Sequence, residues 1–236
     1  MPSIPSQERL ILALDVPSIN DAKKLVELLD DSVHFYKVGM ELFMAGGYFE
    51  FIDWLLERKK KVFVDLKFFD VPATVSRAVA RLKDRGVTFA TVHGNNAMLE
   101  AAAKAKGDSL KILAVTVLTS LDRGDLDDLG FDVDVKKLVL SRAKRAVELG
   151  CDGVVSSGLE VAELRKNLGN NFMVITPGIR PVENRPEDDQ KRVVTVPEAF
   201  NNGADYIVVG RPIHKAENPY LAAMEIQQQI KQVCAD

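Results

Sequence analysis

Charged residues cluster around the segment DLKFFD, residues 65–70. This segment ends a short apolar run, and residues two apart on a strand project from the same face, so Asp65 and Lys67 should lie side by side. Asp70 follows in the turn before a proline, and Lys37 lies late in the preceding apolar run. The spacing predicts a Lys–Asp–Lys–Asp array, in which flanking carboxylates keep each lysine charged. Such an array can stabilise charge that develops in a reaction, and a structural ion-pair network is the alternative.

A second group of residues suits phosphate binding. The segment TPGIR ends at Arg180 after one late apolar run, and VVGRPI places Gly210 and Arg211 after the last run. Glycine lets backbone N–H groups approach a phosphate, and arginine pairs with phosphate oxygens in a fork geometry. Barrels often bind phosphate with the loops after strands seven and eight. We predict a phosphate site there, with an ordinary turn as the alternative interpretation of GRPI.

Short apolar runs alternate with segments of helical spacing along the chain. The runs predict eight strands, at residues 10–16, 34–40, 61–67, 88–93, 111–118, 152–157, 172–178 and 205–210. Helices are predicted at residues 18–29, 72–85, 95–106, 135–149, 159–168 and 219–233. This alternation over 236 residues matches an α/β fold of the (β/α)8 TIM barrel type. We predict one domain, residues 1–236, and a doubly wound sheet as the alternative, which the lack of GxGxxG after the first run disfavours.

The composition argues against several classes of protein. Lys and Arg number 31 against 34 Asp and Glu, a net charge of −3, and the two signs are interspersed, unlike the basic footprint of a nucleic-acid-binding protein. The chain has no run near the roughly 18 apolar residues of a membrane span and shows no convincing signal or transit peptide. Its two cysteines fit a reducing compartment better than a disulfide scaffold. We predict a soluble cytoplasmic protein.

Some residues are predicted to have supporting roles. The three histidines are scattered and form no metal-binding motif, and His93, at a strand end, is expected to provide hydrogen-bonding support rather than act as a base. Cys151 has no base within its motif and is expected to be buried. The charged segment at residues 121–130 is predicted to be a solvated loop, with a lid as the alternative.

Taken together, the motifs resemble the orotidine 5'-monophosphate decarboxylase family. The resemblance covers nearly the whole chain, through LALDVPS, KVGMELF, DLKFFDVPATV, AVTVLTS, TPGIRP and GADYIVVGRPI. DxKxxD followed by proline and threonine is highly specific in this context. The resemblance implies a homodimeric (β/α)8 barrel that converts orotidine monophosphate to UMP without a metal, a cofactor or a covalent intermediate.

The resemblance also implies a role for each site residue. Asp65 would lie beside the departing carboxylate, and Lys67 would stabilise the C6 carbanion and protonate it. Asp70 would reach into the partner subunit's active site, with Thr74 on the same segment. Asp15 and Lys37 would hold the ribose hydroxyls, and Thr119 and Ser120 would face the pyrimidine. The phosphate would be bound by Gln190, Gly210 and Arg211, with Arg180 in support.

Two other functions remain open at this point. A 3-keto-L-gulonate 6-phosphate decarboxylase resembles this family in its barrel and its DxKxxD motif but uses magnesium, and Lys37 stands where such an enzyme typically has a metal-binding carboxylate. A lysine there repels a divalent cation. A non-catalytic sugar-phosphate-binding barrel is the second alternative, and the intact set of Lys37, Asp65, Lys67 and Asp70 argues against it.

Overall fold

Eight parallel strands close a barrel in the computed structural model, which describes residues 4–180 and 192–234. Each strand pairs with its neighbours in sequence, and the first pairs with the last, with Leu10 opposite Ile207. The predicted (β/α)8 TIM barrel is confirmed, since each predicted strand segment overlaps one strand. The strands are β1 (Leu10–Ala13), β2 (Phe35–Gly39), β3 (Lys61–Phe68), β4 (Phe89–Val92), β5 (Lys111–Val115), β6 (Gly153–Val155), β7 (Met173–Thr176) and β8 (Tyr206–Val209).

Helices surround the barrel and connect its strands. In the described ranges, no helix is both long enough and apolar enough to cross a membrane. The helices are α1 (Ile19–Leu29), α2 (Met40–Met44), α3 (Tyr48–Glu57), α4 (Pro72–Arg85), α5 (Asn96–Ala105), α6 (Arg123–Asp128), α7 (Val135–Glu148), α8 (Val161–Leu168), α9 (Val196–Asn201), α10 (Arg211–His214) and α11 (Pro219–Val233).

The six predicted helices are α1, α4, α5, α7, α8 and α11, and local chemistry explains their ends. Ser18 begins α1 by accepting the N–H of Asp21 at 3.1 Å, as an N-cap residue should. Pro72 occupies the first position of α4, where its missing N–H costs nothing. Gly86 ends α4 with a φ of +86°, a conformation that glycine adopts without strain.

The segment at residues 121–130 is not entirely a loop, because it contains α6. The Asp122 side chain accepts the Asp125 N–H, and the Asp125 side chain accepts the Asp122 N–H at 2.7 Å. This reciprocal capping satisfies two donors that the start of a helix leaves unpaired. The aspartates in this segment favoured a solvated loop in the sequence analysis, but two of them cap the start of a helix.

The interior of the barrel is filled at the N-terminal ends of the strands. The rings of Phe35 and Phe89 lie 4.9 Å apart, and those of Phe89 and Tyr206 lie 5.2 Å apart, edge to face. Above them Ala13 and Val208 belong to the same buried cluster and also line the cavity described below. Because this core fills the barrel at the N-terminal ends of the strands, the cavity described below lies toward their C-terminal ends.

Candidate active site

A cavity of about 770 Å³ opens at the C-terminal ends of the strands. Its walls come from β1, β2, β3, β5, β6 and β8 and from the segments that follow β1, β2, β5, β7 and β8, so residues far apart in sequence share one volume. Most residues singled out in the sequence line this cavity: Asp15, Lys37, Asp65, Lys67, Thr119, Ser120, Arg180, Gly210 and Arg211.

An array of alternating charges forms on one wall, with Asp15 in place of the Asp70 that the sequence predicted as its fourth member. Lys37 Nζ lies 3.0 Å from Asp15 Oδ1 and 3.5 Å from Asp65 Oδ2. Lys67 Nζ lies 3.1 Å from Asp65 Oδ1. The order is therefore Asp15–Lys37–Asp65–Lys67, with two positive and two negative charges. Asp70 does not belong to this array, and its side chain is exposed.

Burial and charge act in opposite directions within the array. Burial by itself would raise the pKa of Asp65, but Lys37 and Lys67 outweigh it and hold the pKa of this carboxyl below its usual value. Burial would likewise lower the pKa of Lys37, but Asp65 and Asp15 raise it above the usual value of a lysine. Both groups are therefore charged at neutral pH, as the array requires.

An irregularity in β3 brings Lys67 into position. The pairing of β3 with β4 shifts register between Val64 and Phe68, and Lys67 has a φ of +49°. A non-glycine residue rarely adopts this conformation, which is commonly found at functional sites. Asp65 and Lys67 do lie side by side as predicted, but the strand between them is not the regular one that the prediction assumed.

Thr91 on β4 is a site residue that the sequence analysis missed. Its Oγ1 accepts the backbone N–H of Lys67 at 3.0 Å and donates to Asp65 Oδ1 at 2.9 Å. Thr91 is fully buried, and it holds both the displaced backbone and the carboxylate. The available signal was a hydroxyl within the otherwise apolar segment FATV, at a strand next to DLKFFD.

Gly39 is a second residue that the sequence analysis missed. A Cβ at this position would lie 3.2 Å from Lys37 Nζ and 3.5 Å from Asp15 Oδ1. A side chain there would crowd the ammonium group, so the glycine leaves the space in which Lys37 and Asp15 meet.

Asp70 and Thr74 do not line this cavity. Asp70 is exposed, and its Oδ1 accepts the N–H of Val71 at 2.6 Å. Thr74 is half-buried on the first turn of α4, where its Oγ1 accepts from Arg77 at 3.2 Å. The expectation that they serve a partner subunit's site stays a prediction.

The residues predicted to bind phosphate lie where strands seven and eight end. Gly210 and Arg211 follow β8 directly, and Arg180 lies beyond β7, where its side chain donates to the carbonyl of Ile179 at 2.8 Å. All three face the cavity. Gln190, also predicted to contact phosphate, lies outside the described residues.

His93 follows β4 and contacts Arg142. Arg142 Nη1 lies 3.3 Å from His93 Nε2 and donates to the Thr116 carbonyl at 2.7 Å. Burial, then Arg142 and Lys67, lower the pKa of His93. Because a guanidinium has no acceptor, His93 Nε2 accepts here and the ring is neutral. The geometry fits the predicted supporting role.

Two further observations concern metal binding and cysteine reactivity. Across residues 4–180 and 192–234, no three His, Cys, Asp or Glu side chains are grouped so that they could hold a metal ion. Cys151 is buried as predicted, and burial raises the pKa of its thiol to about 12. Such a thiol is a poor nucleophile at neutral pH.

Comparison with known proteins agrees with this geometry. Residues 8–226 match the family model described as Orotidine 5'-phosphate decarboxylase / HUMPS family. The chain belongs to this family. Within the orotidine 5'-phosphate decarboxylase / HUMPS family, the orotidine 5'-phosphate decarboxylase of Methylococcus capsulatus is 67% identical over 232 residues, which cover 98% of this chain and 96% of that protein. The one from Nitrobacter winogradskyi is 50% identical over 222 residues, 94% of this chain and 92% of that protein.

A solved structure gives the same family and fold. A crystal structure of orotidine 5'-phosphate decarboxylase from Lactobacillus acidophilus superposes with a TM-score of 0.83 at 37% identity, covering 94% of this chain and 99% of that one. The resemblance to the orotidine 5'-phosphate decarboxylase family drawn from the motifs is thereby confirmed.

Proposed function

We propose that this enzyme decarboxylates orotidine 5'-monophosphate to UMP, in pyrimidine nucleotide synthesis. One observation carries the proposal: the array Asp15–Lys37–Asp65–Lys67, in which the central Lys37 and Asp65 are largely buried, lines the same cavity as Arg180, Gly210 and Arg211. The substrate matches both parts, since it has a carboxylate on a pyrimidine at one end and a phosphate at the other. The names of the close relatives support the same activity.

In the proposed reaction, the bond between C6 and its carboxylate breaks. Asp65 lies beside this carboxylate, so the repulsion between the two anions is relieved as neutral CO2 leaves. The electron pair remains on C6, where the ammonium of Lys67 stabilises it. Lys67 then transfers a proton to C6 to give UMP, and the lysine regains a proton from water. A preorganised charge of this kind favours the transition state over the bound substrate.

Other cavity residues would bind the parts of the substrate that do not react. Lys37 and Asp15 would contact the ribose hydroxyls, and Thr119 and Ser120 would face the pyrimidine. The phosphate would be bound by Gln190, Gly210 and Arg211, with Arg180 in support. Binding of this remote group can be expressed as stabilisation of the transition state.

We propose that the reaction uses neither a metal nor a cofactor. Asp65 Oδ1 already contacts Lys67 and Thr91, and its Oδ2 faces Lys37. Lys37 also engages Asp15. A divalent cation at these carboxylates would have to lie beside two ammonium groups, which repel it. The array is therefore suited to stabilising the negative charge that develops on C6 with the ammonium group of Lys67 instead of a metal ion.

We also propose a homodimer in which Asp70 and Thr74 complete the partner subunit's site. Asp70 lies between two exposed apolar side chains, Phe69 at 66% and Val71 at 61% exposure. Exposed apolar residues around a charged group are typical of an interaction surface rather than of a free loop.

The proposed activity is tested by the ultraviolet absorbance of orotidine monophosphate mixed with the purified enzyme, with and without EDTA. We expect the orotate absorbance to disappear equally in both samples and to persist with Lys67→Ala. Lys61→Ala is the matched control, because Lys61 is an ion-paired lysine at the opposite end of the same strand. EDTA-sensitive turnover of a sugar phosphate instead of orotidine monophosphate would favour the magnesium-dependent alternative, and binding of orotidine monophosphate without turnover would favour a binding protein.

A further inference from the structure

A buried ion pair outside the charge array lies close to the cavity. Arg192 and Glu160 are 9% and 4% exposed, and Arg192 Nη1 donates to Glu160 Oε1 at 2.8 Å. A buried pair of this kind contributes little net stability, because both ions lose their hydration. Its location beside the cavity is better explained by a role in the site.

The other arm of the guanidinium contacts the loop after β5. Arg192 Nη2 donates to the carbonyl oxygens of Val117 and Leu118 at 3.0 and 2.9 Å. Both residues line the cavity and directly precede Thr119 and Ser120. The paired part of β5 has already ended at this point. Arg192 therefore orders backbone that the strand ladder no longer holds.

The backbone near Arg192 is fixed by the chain that leaves β7. The N–H of Arg180 donates to the Val194 carbonyl at 3.0 Å, and the N–H of Val194 donates to the Gly178 carbonyl at 3.1 Å. Val194 also packs closely on Gly158, where a Cβ would lie only 2.3 Å from its Cγ2. The guanidinium consequently projects from an anchored base toward the β5 loop.

We propose that Arg192, held by Glu160, is a positioning residue that sets the loop carrying Thr119 and Ser120 against the pyrimidine of the substrate. The inference rests on the proposed function for the identity of that ligand. An arginine suits this role because its rigid plane of five N–H donors serves a carboxylate and two carbonyls at once. A lysine has the same charge but a flexible stem and a point-like ammonium.

The test compares two ligands that differ by the base. We expect Arg192→Lys to weaken the binding of UMP, measured by titration calorimetry, by about tenfold. Binding of ribose 5-phosphate should stay within about twofold of the wild type, since this ligand has no pyrimidine. Glu160→Gln is the second variant, which removes the charge that holds Arg192 but keeps the shape, and we expect the same selective loss.

Arg165→Lys is the matched control for a general effect of changing a largely buried, ion-paired arginine. Arg165 donates to Asp205 Oδ2 at 2.6 Å and to the carbonyls of Gly203 and Phe172 at 2.9 and 2.8 Å. Its contacts are of the same kind, but they lie at the opposite end of the barrel from the cavity. We expect Arg165→Lys to lower the unfolding midpoint and to leave the binding of both ligands unchanged.

A double variant completes the test. If Arg192 acts through the β5 loop, Arg192→Lys should weaken UMP binding little further once Ser120→Ala has removed a pyrimidine contact. Fully additive effects, equal weakening of both ligands, or unchanged UMP affinity in a folded Arg192→Lys protein would each overturn the proposal. A wild-type enzyme that binds UMP but leaves orotidine monophosphate unchanged would instead contradict the proposed function.

Discussion

Thr91 Oγ1 lies 2.9 Å from Asp65 Oδ1 and donates a hydrogen bond to this carboxylate. The same oxygen accepts the backbone N–H of Lys67, at the residue with a φ of +49°. One hydroxyl therefore fixes the direction of the carboxylate and holds the strained backbone of the lysine beside it. The relative position of these two charges depends on Thr91 as much as on the strand that carries them.

We expect Thr91→Val to lower kcat by about 10- to 100-fold, because a small displacement of reacting groups has effects of this size. The change keeps the shape of the side chain and removes both hydrogen bonds. UMP affinity should change little, since Thr91 does not line the cavity. The measurement is steady-state kinetics with orotidine monophosphate.

Thr116→Val is the control for this prediction. Thr116 is also fully buried, and its Oγ1 donates to the Val155 carbonyl at 2.9 Å, but it does not line the cavity or contact the charge array. Thr116→Val loses one buried side-chain hydrogen bond and Thr91→Val loses two, at a cost of about 1 kcal/mol of stability for each bond. An equal fall in kcat in both would contradict the role given to Thr91.

Asp65 should make the stability of the fold depend on acid pH. Its folded pKa is lowered, so its contribution is present above the unfolded value of about 3.9 and is lost as the pH falls through the folded pKa. We expect Asp65→Asn to reduce the free energy of unfolding by about 3 kcal/mol at pH 7, since it breaks a buried ion pair. The difference from wild type should shrink below about pH 4.

Urea unfolding at a series of pH values measures this difference. Asp108→Asn is the control, because Asp108 is an exposed carboxylate outside the array. The control should match wild type at every pH. A difference between Asp65→Asn and wild type that is as large at pH 3 as at pH 7 would disprove the assignment.

His93 should titrate below the usual histidine value of about 6.5. Burial and the neighbouring Arg142 disfavour its charged form, so the neutral ring persists to lower pH. NMR of the imidazole protons can measure this, because the chain has only three histidines and His93→Asn assigns the signal. We expect Arg142→Gln to raise the midpoint and the exposed Lys104→Gln to leave it unchanged. A midpoint above 6.5 in the wild type would contradict this account.

Mixing two inactive variants tests the shared site. In the proposed dimer, a subunit with Lys67→Ala still supplies Asp70, and a subunit with Asp70→Ala still supplies Lys67. One of the two sites in a mixed dimer is then intact, so a 1:1 mixture after subunit exchange should recover about one quarter of wild-type activity. No recovery, despite exchange shown by mass spectrometry, would mean that each site is built from a single subunit.

Much of the fold could be predicted because it is encoded locally. Apolar runs of strand length, helical spacing and capping residues such as Ser18 and Pro72 each act over a few neighbours. Helices such as α3 and α6 were missed for the same reason. The former has apolar residues around much of its circumference, and the latter begins with aspartates that also suit a loop. Over a stretch of 6 to 10 residues, neither pattern distinguishes a helix from a strand or a loop.

The sequence by itself determined the barrel and the set of charged residues at its strand ends, since strand order and the period of two place Asp15, Lys37, Asp65 and Lys67 at one end. Only the tertiary structure decided how these charges are held. Thr91 is 26 residues from Asp65, and Arg192 is 75 residues from Val117. Such contacts arise only when the barrel closes and brings separate segments together. Local sequence preferences act over a few neighbouring residues, so they carry no information about contacts between residues this far apart in sequence.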